Sequence, residues 1–217
     1  MVYDQLRSYH QPSSPISMSR IVTEDDPRMN MYDNELNRVL GGGLVPGSLT
    51  LLGGEPGIGK STLSLQIPLN CPNLKTLYVT GEESARQVKL RASRIGGDDA
   101  NCLIYSETLM ENIIAEAKSI MPDLMVVDSV QTMFSQNVES SPGSVTQIKE
   151  AAAILLRFAK ETGVPVILIG HITKEGSIAG PKILEHIVDV VLQFEGDNRG
   201  SYRLLRSIKN RFGSTSE

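Results

Sequence analysis

Gly54-Glu55-Pro56-Gly57-Ile58-Gly59-Lys60-Ser61 fits the spacing Gly-x4-Gly-Lys-[Ser/Thr], that of a loop built to cradle a polyphosphate. Glycines let the backbone curl so that successive N–H groups face inward, and a helix opening at once behind the loop adds its positive end. In that geometry Gly54, Glu55, Pro56, Gly57, Ile58 and Gly59 form the cradle. Lys60 bridges the β- and γ-phosphates, Ser61 holds Mg²⁺ and Thr62 lies near the α-phosphate. The plain alternative is a Gly-rich turn with a surface lysine. A complete motif, preceded by an apolar run and followed by a helical pattern, argues against it.

Three further residues could share that chemistry. Leu124-Met125-Val126-Val127-Asp128 is an apolar run ending in a carboxylate, the form of a residue that steadies Mg²⁺ and its water shell. Such an Asp also caps helices in ordinary α/β domains, and only its pairing with the phosphate loop raises it. Glu82, in Gly81-Glu82-Glu83 just past the run 77–80, is the candidate base that orients water. Both glutamates could instead be first-turn acids of a helix beginning near Ser84. His171 closes Val166-Ile167-Leu168-Ile169-Gly170 and could sense a γ-phosphate. His186, in a short helical turn, and His10, near the N-terminus, read as structural or surface residues. Arg86, Lys89, Arg91 and Arg94 spread around one helix and read as mainly solvated surface.

The elements that must position these groups follow from pattern. Short apolar, partly β-branched runs recur at residues 49–52, 76–80, 102–105, 124–128 and 164–169, each the length of a buried strand. Between them lie helical patterns with start signals, Thr108-x-x-Glu111 and Ser144-x-x-Gln147, the second leading to a stripe that ends at Gly163. Alternating strands and helices predict an α/β fold with a central, mostly parallel sheet flanked by helices. Runs at 190–195 and 202–209 flank the turn-forming cluster 196–200, which predicts a C-terminal antiparallel hairpin. Residues 1–28 are rich in Ser, Pro, Tyr and Met without period and read as a flexible leader; the domain is expected over 29–217.

Composition narrows the function classes. In 217 residues, 40% of them apolar, there is enough to bury one core and too little for two full-sized domains. The 21 Lys and Arg against 25 Asp and Glu leave a net charge of −4, which excludes a histone-like or polybasic coating protein. Cys71 and Cys102 form no Cys-x-x-Cys pair, so neither a disulfide scaffold nor a thiolate zinc site is available, and the compartment reads as reducing. No apolar stretch approaches the roughly 18 residues of a membrane span, and no signal sequence is evident; the expected location is the cytoplasm, away from membranes.

Three longer blocks carry a resemblance. Leu36-Asn37-Arg38-Val39-Leu40-Gly41-Gly42-Gly43, Gly170-His171-Ile172-Thr173-Lys174-Glu175-Gly176 and Lys209-Asn210-Arg211-Phe212-Gly213 occur in this order around the phosphate loop. Over residues 21–217 the chain resembles the bacterial RadA (Sms) family of recombination proteins, of which the last block is the most distinctive mark. The resemblance implies a RecA-like P-loop ATPase core that uses ATP and Mg²⁺, in which the strand before His171 lies between the strands leading to Lys60 and Asp128. It implies catalytic roles for Lys60, Glu82 as the water-activating base, Asp128 and His171 as phosphate sensor. It also implies that Lys209 and Arg211 act as basic fingers on the nucleotide of a neighbouring subunit, as in ring helicases of the DnaB type. A finger supplied in trans makes hydrolysis depend on assembly. The family's N-terminal four-cysteine zinc finger and C-terminal Lon-protease-like domain are not found in these residues.

DNA enters through the resemblance. With no Trp, four Phe and six Tyr, the chain has little material for a stacking platform. The polar loop 131–143, expected to be flexible, has no Lys or Arg, and the loop 173–181 offers Lys174; these are the segments RecA-like rings turn toward DNA. Phe134 could stack on a base or anchor its loop. The resemblance implies a helicase or branch-migration motor acting on single-stranded and branched DNA in repair and recombination, with the RecA recombinase as partner and a homo-oligomer, hexameric in the whole protein. A competing reading is a nucleotide-gated module that holds DNA or a recombinase without unwinding. A small-molecule P-loop kinase is disfavoured by the lack of a lid segment or acceptor pocket.

Overall fold

The computed structural model describes residues 15, 17, 18, 28–171, 181–196 and 202–215. Its strands are β1 (Leu49–Gly54), β2 (Thr76–Thr80), β3 (Cys102–Ser106), β4 (Leu124–Asp128), β5 (Val166–His171), β6 (Val190–Gly196) and β7 (Arg203–Asn210). They form one sheet in the order β3-β2-β4-β5-β1-β6-β7, parallel except for the antiparallel pair β6–β7. This is the RecA-like α/β arrangement, and β5 lies between β4 and β1 as expected.

Every residue of β1, β2 and β4 is buried, because helices cover both faces of the sheet. Alternation along β1 shows the two sides: Leu49 and Leu51 join one apolar cluster, Leu52 the other. The first cluster receives α4 (Met110–Ile120) and α5 (Val145–Thr162); the second receives α1 (Asn34–Val39), α2 (Lys60–Asn70) and α3 (Ala85–Ile95). In α5, Ile148, Ala151, Ala152, Leu155, Phe158 and Ala159 are buried at the spacing of one helical face. The side chain of Ser144 caps its start, and Gly163, at φ 77°, ends it in the left-handed conformation. Truncating a side chain as buried as Leu155 costs about 3 kcal/mol. A four-residue helix α6 (Pro181–Leu184) precedes β6.

Several local expectations need correction. Thr108 does not cap α4: the N-cap is Leu109 without a side-chain bond, and the Glu107 carboxylate accepts from the Thr108 and Leu109 amides instead. Glu111 looks away from the helix end, accepting from Ser135 Oγ at 2.5 Å and Asn137 Nδ2 at 3.0 Å. Gln147 likewise abandons a capping box; its buried amide takes the Ser135 N–H and donates to the carbonyls of Ser135, Val138 and Ser140. Those bonds pin the base of loop 131–143 to α5. Phe134 is half-buried and bonded through its backbone to Thr108 and Met110, as a loop anchor is.

Arg28 donates to Leu40 O at 3.2 Å and Phe212 O at 2.6 Å, so the fold already holds the chain there. The remaining leader except residues 15, 17 and 18, the loop 172–180 with Lys174, and the turn 197–200 lie outside the described residues, as does His10. No helix among the described residues is long and apolar enough to cross a membrane.

Candidate nucleotide site

The parallel register brings the candidate residues to one edge. Gly54 pairs with His171, and Thr80 pairs with Asp128, so the phosphate loop, His171, Asp128 and the Gly81-Glu82 turn all leave the carboxyl ends of β1, β5, β4 and β2. Ligands collect at such an edge because helix N-termini and free loop amides face it.

The phosphate loop depends on its glycines at specific points. Gly59, the N-cap of α2, has φ 112°, a conformation that a β-carbon makes costly. A β-carbon on Gly54 would stand 2.7 Å from Phe194 O, so β6 packs directly against the loop's first residue. Lys60 is 3% exposed, and its ammonium donates to Gly54 O at 2.7 Å and Glu55 O at 2.8 Å. Burial lowers its pKa, and the nearby Asp128 and Glu82 only partly oppose that. Ser61 is half-buried and Thr62 exposed on the first turn of α2.

The two glutamates have different fates. Glu83 is ion-paired with Arg91 of α3, which removes it from the site and makes Arg91 more than a solvated surface cation. Glu82 turns inward: Ser129 Oγ donates to its Oε1 at 2.6 Å, and His171 Nε2 lies 3.3 Å from the same oxygen. Burial alone would raise the Glu82 pKa, but the bonds from Ser129 and His171 and the charges of His171 and Lys60 outweigh it, and the net shift is downward. Gly81 allows the turn, because a β-carbon there would collide with the Thr132 side chain.

Asp128 is 7% exposed and is held from beneath by the sheet itself. Tyr78, on β2 and fully buried, donates its hydroxyl to Asp128 Oδ2 at 2.9 Å, and Ser64 of α2 stands 3.3 Å from the same hydroxyl. Burial first, then the Asp128 charge, pushes the phenol well above its usual range. Tyr78 and Ser129 escape sequence reading, one hidden in an apolar run and the other following the expected carboxylate. Ser61 and Asp128 offer hard oxygen donors facing the loop. No cluster of three or more His, Cys, Asp or Glu side chains occurs among the described residues. Such a sparse oxygen set fits Mg²⁺, which keeps several waters and takes phosphate oxygens.

Lys209 and Arg211 are elsewhere. Lys209 pairs with Val191, and Val191 with Leu51, so both basic residues lie toward the amino edge, away from the loop beginning at Gly54. There Lys209 Nζ donates to Glu185 O at 2.5 Å and Val188 O at 2.8 Å, while Arg211 Nη1 meets Asp189 Oδ1 at 3.3 Å. Arg211 also approaches His186 O, which gives that histidine a backbone role. Asp189 is buried and its other oxygen accepts from Leu49 N at 3.1 Å and Lys160 Nζ at 3.0 Å. Asn210 Nδ2 donates to Leu40 O at 3.2 Å, joining the last sequence block to the first.

Fold and site together define a P-loop nucleotide-binding protein with a RecA-like sheet. A family model described as "AAA domain" matches residues 18–177, and the chain belongs to that family. It is 49% identical to the DNA repair protein RadA of Halalkalibacterium halodurans, over 94% of this chain and 45% of that protein. The DNA repair proteins RadA of Bacillus subtilis and Pseudomonas aeruginosa are each 50% identical, over 95% and 93% of this chain and 45% of their own lengths. The chain thus spans about half the length of these curated relatives, and the resemblance to RadA drawn from its sequence blocks is borne out.

Proposed function

We propose that this chain is the ATP-hydrolysing motor core of a DNA repair and recombination protein that acts on single-stranded and branched DNA. The observation that carries the reading is the convergence of Lys60, Glu82, Asp128 and His171 on one sheet edge, with Glu82 aimed inward by Ser129. The names of the RadA relatives supply the repair context.

In this reading the loop amides of residues 54–60 bind the phosphates, and Lys60 leaves the carbonyls of Gly54 and Glu55 for the β- and γ-phosphate oxygens. Ser61 and Asp128 hold Mg²⁺, which neutralises phosphate charge when bound. Glu82, ionised at neutral pH, accepts a proton from a water whose oxygen attacks the γ-phosphorus as the bond to the β–γ bridging oxygen breaks. His171, in contact with Glu82, links the presence of the γ-phosphate to the position of that base. Lys209 and Arg211 lie at the far edge from their own loop, which suits fingers that serve a neighbouring copy and stabilise charge on the transferred phosphoryl group. The loops 131–143 and 173–181 face DNA, and the RecA recombinase is the expected protein partner of a hexameric assembly.

The test is ATP turnover with and without single-stranded DNA for wild type, K60A and R211A, singly and mixed. Each variant alone is inactive, whereas mixing them restores part of the activity, because a K60A copy lends its Arg211 to the intact loop of an R211A neighbour. Wild-type turnover by R211A alone refutes the finger. Loading and release on DNA without strand displacement under single-turnover ATP supports the gated binding module, which the absence of Lys and Arg from loop 131–143 favours.

A further inference from the structure

The phosphate loop has a cationic neighbour on its own chain that no sequence block announces. Arg203 opens β7 directly opposite Gly196, the last residue of β6, and β6 runs parallel to β1 with Phe194 beside Gly54. This places Arg203 at the carboxyl edge, the opposite end of β7 from Lys209. A β-carbon on Gly59 would lie 3.2 Å from Arg203 Nη1 and 3.7 Å from Phe194 Cε1. The guanidinium therefore lies against the residue that caps α2 and hands the loop over to Lys60.

Two details describe its surroundings. Gly196 has no side chain to block it, and a β-carbon there would fall 2.5 Å from Ile58 Cδ1. The hairpin end and the loop are thus packed together at that point. The Arg203 side chain is exposed and makes no hydrogen bond or ion pair with another described residue, its backbone alone being tied into the β6–β7 ladder. Arg91, Arg206 and Arg211 each have a carboxylate within ion-pair distance, whereas Arg203 has none among the described residues. An uncompensated guanidinium beside inward-turned amides adds to an anion-attracting field, and its planar fork suits phosphate oxygens.

We infer that Arg203 is a cis-acting nucleotide-binding residue, contacting the phosphate chain of a nucleoside di- or triphosphate from the hairpin side of the loop. The inference rests on the reading of residues 54–62 as a nucleotide site. Because Arg203 lies beside Gly59 and not with Glu82 and His171, it serves the phosphates common to ATP and ADP. It is a determinant of affinity rather than of the chemical step.

The test is equilibrium binding of mant-ADP and of mant-labelled, non-hydrolysable ATP to wild type, K60A, R203A, R203K and R203Q at two salt concentrations, with thermal unfolding of each. R203A and R203Q are expected to weaken both nucleotides by the same factor, about tenfold at low salt, with R203K retaining most of the affinity. The factor shrinks as salt rises, and the unfolding temperature stays constant because the side chain is exposed. Unchanged affinity in R203A, or loss confined to the ATP analogue, overturns the assignment. R203Q binding as wild type does also overturns it, since contact would then not depend on charge. If the wild type binds neither nucleotide, the nucleotide reading itself fails; if K60A binds less tightly than wild type while R203A does not, only the Arg203 assignment fails.

Discussion

Tyr78→Phe removes one oxygen from a fully buried ring and nothing else, which makes it a sharp probe of how Asp128 is held. The hydroxyl lies 2.9 Å from Asp128 Oδ2 and 3.3 Å from Ser64 Oγ, so its loss leaves a nearly buried carboxylate oxygen without its donor. A hydrogen bond to a charged group contributes about 1.5–3 kcal/mol, and the longer contact with Ser64 adds less than about 1 kcal/mol. Taking about 2 kcal/mol for the whole, a domain of this size loses about 4–8 °C in Tm. In an Asp128→Asn background the acceptor is neutral, the same truncation costs only about 1 kcal/mol, and a double-mutant cycle reports the difference as coupling. The assay is thermal and urea unfolding of the four proteins, combined with Mg²⁺-dependent nucleotide binding. There the freed carboxylate lowers metal affinity by about tenfold, as loss of an outer-shell partner does. A Tm within about 1 °C of wild type and zero coupling would show that Tyr78 does not support Asp128, and the account of the site's floor would be wrong.

Three further outcomes are expected. Glu82→Gln lowers turnover at least about 100-fold while leaving nucleotide affinity intact. Because the folded-state pKa of Glu82 is depressed, its ionised form and the small stability it confers persist above the ordinary glutamate value and are lost only as pH falls through the lower folded value. A profile in which the acid limb of wild-type turnover begins well above about pH 5 would contradict Glu82 as the base. Asp189→Ala costs about 2–3 kcal/mol in urea unfolding, discounted from a fully buried pair because Lys160 and Arg211 are half-exposed; Asp189→Asn, which keeps an acceptor for Leu49 N, costs about half as much, and equal losses would rule out the amide bond as a contributor. Cys71 is pushed up by burial and Cys102, by burial and Asp99, to about 11, so at pH 8 neither reacts with a thiol reagent until the chain unfolds; prompt labelling of the native protein would refute their packing.

The residues that sequence reading placed well share one feature: each ends or follows an apolar run whose parallel pairing sends it to the same edge. Lys60, Glu82, Asp128 and His171 are legible for that reason, since short buried strands with helices between them have few ways to pair. Sequence reading favours Glu82 while leaving open that both glutamates are first-turn acids; what separates them in the fold is Arg91, which captures Glu83 from eight positions further along the chain. Tyr78 reads as core, and its true partner is 50 positions away on a strand that becomes its neighbour only in the folded sheet. Gln147 and Glu111 read as capping residues and instead bond into loop 131–143, a competition between local and distant acceptors that spacing alone cannot decide. Arg203 had no motif at all. Its placement depends on the hairpin register that sets it opposite Gly196.

The sheet carries its nucleotide cradle at one end and the Lys209–Arg211 pair at the other, and the two ends point in opposite directions. If the pair completes a neighbour's cradle, each such contact joins unlike ends of two copies, and its head-to-tail repetition gives a ring where the rotation closes and an open row where it does not. A closed cycle then has as many finished reaction centres as members, whereas an open row of the same copies always has one fewer, so each closure event switches on one additional centre.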